Sequence, residues 1–304
     1  MMGAQTIWID AETARGELRA AASAHVAARR RRDRVMRTLM VVAGVVVVAI
    51  LFAVLGYVVV QGASHVNATF FTKLPAPVGV PGGGMANALV GSAIMNGIAL
   101  LIAVPVGVGA AIYLSEYATG AWGQAIRFAT DILNGTPSIV TGVFVFTIMV
   151  LPMHTYSALA GGLALGIVMI PVVVRTGEEM LHMVPQALRS AGLALGASRW
   201  RISVDIVLRT ALPGVLTGIM LGLSRIVGET APLIFTALNN RYWSTTLLEP
   251  MASVPIFIYR YALSPYRDWQ DQAWAAAFVL IFTVLLLNIL TRWLVRGPRG
   301  AGTR

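Results

Sequence analysis

Long uncharged runs separated by short polar stretches dominate the chain. Thr38 to Val60 carries no charged residue and includes VVAGVVVVAILFAVLGYVVV, enough for one helix to cross a hydrocarbon layer that needs about 20 apolar residues. Leu74 to Ser115 is also uncharged, and its second part, about Ala88 to Tyr113, makes a second span. Ile132 to Val174 contains neither an acid nor an arginine. It holds two short spans, about Ile132–Leu151 and Ser157–Val174, that turn at PMHTYS (Pro152–Ser157). A fifth span runs from about Thr210 to Phe235, interrupted by Arg225 and Glu229, and a sixth from Ala273 to Leu290. The pattern predicts an all-α polytopic membrane protein with six transmembrane helices within residues 37–296. A basic tail (1–36) precedes them and a short tail (297–304) follows.

Composition agrees. Of 304 residues, 57% are hydrophobic and 12% charged, against about 25% charged in a soluble domain, and the mean hydropathy is +0.75. Too little polar surface remains to cover a water-soluble body of this size, which excludes a soluble enzyme, a disordered chain and a fibrous one. Cysteine is absent, and with it disulfides, thiolate metal sites and thiol nucleophiles. The net charge of +10 reflects topology rather than nucleic acid, because cytoplasmic flanks of membrane proteins collect Lys and Arg. With the N-terminus inside, the inner segments hold 17 arginines (eight in the N-terminal tail, Arg127, four in the second inner loop, four in the C-terminal tail), and the outer ones hold Lys73, Arg241, Arg260 and Arg267. Both termini are therefore expected in the cytoplasm of a bacterial plasma membrane. The leader to Arg37 lacks the apolar stretch of a cleavable signal peptide, and its cluster from Arg29 to Arg37 suits anionic lipid. The outer segment Asn239–Gln272, rich in aromatics and Pro, is expected to fold over the outer surface.

Several chemistries lack their residues. The only lysine, Lys73, follows Thr72 and precedes Leu74, so no P-loop can form and any ATPase must be a separate partner. The four histidines (His25, His65, His154, His182) are scattered. No catalytic or metal site is expected, and a proton relay would need more intramembrane acids than Glu229.

The second inner loop, about 176–209, is the most informative. Pro185 can open a helix, Leu188 to Leu195 continues it amphipathically, Gly196 breaks it, and Trp200 follows between Arg199 and Arg201. Such a helix suits a partner's groove or the lipid headgroup layer. Within the spans, each ionisable group costs about 2.5–3.5 kcal/mol to insert. Arg225 and Glu229, four residues apart, would share a helical face, either as a structural ion pair or as part of a pathway. Arg175 ends the fourth span, where it can snorkel to the interface or face the pathway, with Glu178 and Glu179 beside it. Gly162 and Gly166 give a small-xxx-small spacing, and Pro105, Pro137, Pro171 and Pro232 lie in or at the ends of spans.

The loop resembles the EAA coupling loop of ABC-importer permeases (EAAxxxG, then I-x-LP). Aligned on Gly196, it has Ser190-Ala191-Gly192 for EAA, Ile206 for Ile and Leu208-Arg209 for LP, departing from the pattern at Ser190, Gly192 and Arg209. MIPVVVRTGEEMLHMVP (169–185), SRIVGETAPLIFTAL (224–238), NGTPSIVTGVF (134–144) and WAAAFVLIFTVLLLN (274–288) are similar to the PstA-type permease family of ABC phosphate importers, over about residues 35–295. The resemblance implies a type I importer permease, half of a pore for inorganic phosphate. A PstC-like second permease, a PstB-like ATPase dimer using ATP and Mg, and a PstS-like extracytoplasmic phosphate-binding protein would complete it. It implies Arg225, Arg175, Glu229 and Glu178 along the substrate pathway, and Ser190, Ala191, Gly192, Gly196, Arg199 and Trp200 at the ATPase contact. Another oxyanion (sulfate or molybdate) and a membrane scaffold are the alternatives.

Overall fold

A computed structural model of the chain describes the backbone of residues 3–80 and 82–295 and the side chains of 29–80, 82–291 and 293. The C-terminal tail (297–304) and the side chains of the N-terminal tail before Arg29 lie outside the described residues. The chain forms two compact units, residues 1–57 and 58–304.

The first unit is the greater part of helix α1, Gly3–Gly62. From Arg29 to Tyr57 every side chain is exposed except the partly covered Leu55, and the exposed ones include Val45, Ile50 and Phe52. Only lipid or another apolar surface can solvate that helix favourably.

Among its described residues, the regular secondary structure of the second unit is all helical. After α2 (Ala68–Thr72) come α3 (Ala86–Glu116), α4 (Ala121–Gly135), α5 (Ser138–Met153) and α6 (Ala158–His182). Then follow the short α7 (Gln186–Ala194), α8 (Arg199–Val227), α9 (Ala231–Thr236), α10 (Val254–Ala262) and α11 (Arg267–Val295). Among the described residues, α1, α3, α6, α8 and α11 are long and apolar enough to cross a membrane, and α4 with α5 makes a sixth only as a pair bent by 102°.

That bend corrects the expected straight span over 132–151. Pro137 has no N–H to donate and disfavours helical backbone in the residue before it. Thr136 accordingly takes φ −74°, ψ 130°, and the chain restarts as α5 almost at right angles. Other limits move as well. The fourth span continues to His182, so Arg175, Glu178 and Glu179 are helical rather than terminal. The fifth begins at Arg199 and stops at Val227.

The core lies between α3, α6 and α8, where Met95, Ala99, Leu165, Met169, Val173, Leu223 and Ile226 are buried. Close approach requires small residues. A Cβ on Gly162 would lie 2.5 Å from Ile98 Cβ, and one on Gly218 would lie 2.5 Å from Thr176 Oγ1. Gly166 differs from its partner in the expected pair: a Cβ there would meet Ile102 at an ordinary 3.5 Å.

Contact order along the helices fixes their directions. Gly162 faces Ile98 and Gly177 faces Ala111, so α3 and α6 run parallel. Gly214 faces Met180 and Gly222 faces Met169, so α8 runs against them. The unit thus has an α7 end, where α3 and α6 finish, and a far end, where they start.

At the far end, the segment 237–262 does more than cover a surface. Met251 and Ile256 enter the central cluster, and residues 251–257 are all buried. Its backbone carbonyls accept from the free N–H groups at the start of α6: Ala158 N donates to Glu249 O (3.1 Å) and Leu159 N to Leu247 O (2.9 Å), donors that no intrahelical partner can satisfy. Ser92 Oγ accepts from Val254 N at 2.9 Å. The apolar run from Met251 to Tyr259, capped by Ser253 accepting from Ile256 N, explains why this segment inserts rather than lying flat.

Candidate functional site

Two groups of polar residues stand out in the second unit, one at the α7 end and one where two helix breaks face each other.

At the α7 end, Pro185 precedes α7 as its cap, and Gly196 takes φ +78°, a conformation that favours glycine, turning the chain into α8. Arg189 rivets α7 in place. Its Nη2 donates to Glu116 Oε1 (2.8 Å) and its Nε to Oε2 (3.0 Å). Nη2 and Nη1 also reach the carbonyls of Leu181 and Val184, at the end of α6. The ion pair is largely buried, with side chains 13% and 10% exposed. On its inner face, Gly192 lets α7 sit on α8: a Cβ there would lie 2.9 Å from Ile202 and 3.0 Å from Ile206. The outer face carries Ser190, Ala191 and Arg199, all exposed, with Met183, Leu195 (88% exposed) and Trp200 (63%). A cavity of about 550 Å³ opens beside them, between Glu116, His182, Gln186, Leu193 and Arg199. The short helix stops at Ala194, and Trp200 lies in the first turn of α8. The expected cluster therefore splits into an inward Gly192, an exposed turn at Gly196 and an outward face of mixed apolar and basic chemistry.

The second group corrects the expected pairing of Arg225 with Glu229. The helix ends at Val227 and Gly228 follows as its cap, so Glu229 leaves the Arg225 face and no ion pair joins them. Each instead reaches across to the break between α4 and α5. Arg225 Nη1 donates to Asn134 Oδ1 at 3.1 Å, and Ser138 Oγ donates to Glu229 Oε2 at 3.0 Å. Both pairs bridge 91 residues, one on each side of Pro137. The two broken backbones touch further on, where a Cβ on Gly142 would lie 2.6 Å from Pro232 Cα. Asn134 and Ser138 are functional candidates that spacing rules passed over. Their signal is a pair of small polar residues flanking a proline inside an apolar run.

The other two charges expected along the pathway, Arg175 and Glu178, are each paired. Arg175 pairs with Glu179 at 3.1 Å, both 54% exposed. Glu178 is buried and belongs to Arg127 of α4 (2.7 Å) rather than to Arg175. Arg127 also donates to Leu114 O at 3.1 Å, so one guanidinium joins α3, α4 and α6. Among the described residues, no three His, Asp or Glu side chains are grouped to hold a metal ion.

A bent, broken-helix bundle with a short surface helix clamped across one end is the architecture of an importer permease, and residues 103–297 match the family "Binding-protein-dependent transport system inner membrane component". The chain belongs to that family of ABC-importer permease subunits. Within it, the chain is 45% identical over 235 residues to the phosphate transport system permease protein PstA of Yersinia pestis (77% of this chain, 80% of the relative). It is 46% identical over 226 residues to that of Pasteurella multocida (73% and 79%), and 41% identical over 209 residues to PstA 1 of Mycobacterium tuberculosis (68% and 68%). In fold it is similar to a bacterial alginate ABC transporter solved with its pentasaccharide-bound periplasmic protein (TM-score 0.61, 15% identity, 89% of this chain and 99% of that one). It is also similar to the methionine ABC transporter MetNI in an inward-facing conformation (TM-score 0.55, 20% identity, 70% and 93%).

Proposed function

We propose that this chain is one half of the translocation pathway of an ATP-driven importer of inorganic phosphate. The observation that carries the reading is the state of Arg225. A guanidinium in an apolar bundle is costly to insert, and its usual compensation is a carboxylate. Arg225 has a neutral amide, Asn134, and no carboxylate within ion-pair distance among the described residues. It therefore keeps its full positive charge and most of its N–H donors for something that is not protein. A tetrahedral oxyanion suits that fork, and the 45% identity to PstA permeases supports phosphate as the anion. Arg175, cancelled by Glu179, has a smaller part.

In this reading the α7 end faces the cytoplasm, and the exposed face of Ser190, Ala191, Arg199 and Trp200 docks on an ATPase dimer that binds ATP and Mg. A second permease completes the pore, and an extracytoplasmic binding protein delivers phosphate at the far end. Both termini are cytoplasmic. Closure of the ATPases would pull on α7 and, through Arg189 and Glu116, on α3, rocking the bundle between two states.

The test is radiolabelled phosphate uptake in cells lacking the chain, restored by wild type or by Arg225→Gln, with sulfate as competitor. Wild type should restore uptake that sulfate leaves unchanged. Arg225→Gln should reach the membrane at normal levels and reduce uptake at least 10-fold. Uptake that ignores the chain, or full activity of the variant, refutes the reading.

A further inference from the structure

A second cluster of uncancelled positive charge lies at the far end, away from Arg225. There the segment between α9 and α11 closes a cavity of about 160 Å³, lined among others by Asn87, Arg241, Arg260, Tyr261 and Trp269, with no Asp or Glu in its wall. Neither arginine makes a salt bridge among the described residues. Arg241 is held over the Trp269 ring, 5.1 Å from its centroid. Trp269 in turn stacks on Tyr261 (4.4 Å, 12°) and Tyr261 on Phe257 (4.0 Å, 24°). A guanidinium mounted on an aromatic column loses little entropy when it meets a ligand, and the ring faces stabilise it without neutralising it.

The wall also holds an unused donor. Tyr261 is buried beside Arg241, and its O–H proton has no acceptor. Such an orphan is rare in a native structure and calls for a partner. Asn87, also buried, uses its amide N–H to fix Asn240 O at 2.7 Å, which anchors the strand of backbone that carries Arg241. Room for about five waters, at roughly 30 Å³ each, is room for the five heavy atoms of a tetrahedral oxyanion.

Asn87 starts α3, whereas Gly166, near the level of Arg225, faces Ala99 and Ile102. At about 1.5 Å per residue the cavity stands roughly 20 Å beyond Arg225 along the bundle. We propose that this cavity is an oxyanion site that takes a phosphate group, with Arg241, Arg260 and Tyr261 as its donors. As an entry station for the transported ion, it rests on the reading of the chain as a phosphate permease whose far end faces outward. The same chemistry is offered by free phosphate and by a lipid headgroup.

The experiment is site-resolved protection of arginine. The full chain in maltoside detergent is treated with phenylglyoxal across a series of inorganic phosphate concentrations, and modification of each arginine is read by peptide mass spectrometry. Phosphate should protect Arg241 and Arg260 saturably and leave the exposed Arg209 unprotected. In Tyr261→Phe, half-protection should need at least fivefold more phosphate. If only micelles containing phosphatidylglycerol protect the pair, the occupant is a headgroup. No protection by either source, or equal protection of Arg209, overturns the proposal. A chain that is protected in this way yet proves dispensable for phosphate uptake would sink the transport reading and keep the site.

Discussion

Arg189→Ala should detach the short helix α7 while leaving the bundle intact. In the native chain the guanidinium makes a two-pronged contact with Glu116 and caps the carbonyls of Leu181 and Val184. Truncation removes all of them and leaves Glu116 largely buried, with Ser115 Oγ at 2.8 Å as its remaining side-chain donor. Breaking a buried pair from one side costs about 3–5 kcal/mol. The surviving Ser115 bond places this case near the lower figure, about 3 kcal/mol. Because 1.4 kcal/mol is a factor of ten, local opening of residues 186–194 should become roughly 100-fold more frequent. Amide hydrogen exchange of the detergent-purified chain measures that directly, with the amides of α6 as the internal reference. A double-mutant cycle with Glu116→Gln should return a coupling above about 1.5 kcal/mol. The same cycle on Arg209 and Asp205, an exposed pair at 3.4 Å with side chains 76% and 53% exposed, should return under about 0.5 kcal/mol. Exchange at 186–194 within threefold of wild type, or equal couplings in the two cycles, would refute the argument that burial makes Arg189 the clamp.

Two further pairs of substitutions test the packing and charge accounts. Gly91→Ala places a Cβ 2.1 Å from the backbone oxygen of Ala252. It should destabilise by about 1–3 kcal/mol and lower the melting midpoint of the detergent-solubilised chain. Gly97→Ala, with nothing within 4 Å, should leave that midpoint unchanged or raise it, and equal losses would count against the close-approach reading. Glu178→Gln keeps the shape but withdraws the charge that holds the buried end of the Arg127 contact, and should cost about 1–2 kcal/mol. Glu179→Gln, in an exposed pair, should cost under about 0.5 kcal/mol. The reverse order in a thermal melt would mean that the α3–α4–α6 junction does not depend on Arg127.

What was legible in the sequence divides along a physical line. Spans are written in composition, because a helix in lipid needs only length and apolarity, and α1, α3, α6 and α11 fall where the uncharged runs lie. The α7 turn was legible too, since Pro185 and Gly196 act on their own backbone. The bend at Pro137 was not, because the apolar run continues through it and a proline inside a membrane helix commonly does no more than kink it. The spacing of Arg225 and Glu229 pointed to an ion pair, and Gly228 ended the helix between them. Charge pairing was the least legible property. Glu116 meets Arg189 across 73 residues, and Arg127 meets Glu178 across 51, distances over which local spacing carries no signal. Yet pairing decides which charges are available. Towards the α7 end, Glu116, Arg127, Arg175, Glu178, Glu179 and Arg189 are all matched, whereas Arg225, Arg241 and Arg260 are not. On the proposed reading this asymmetry has a direction. An anion arriving at the far end meets two open guanidinium groups, then Arg225, and beyond it Arg127, Arg175 and Arg189, each already matched by a carboxylate. Open guanidinium groups at those three positions would hold the ion inside the pore; their pairing lets the ion pass on.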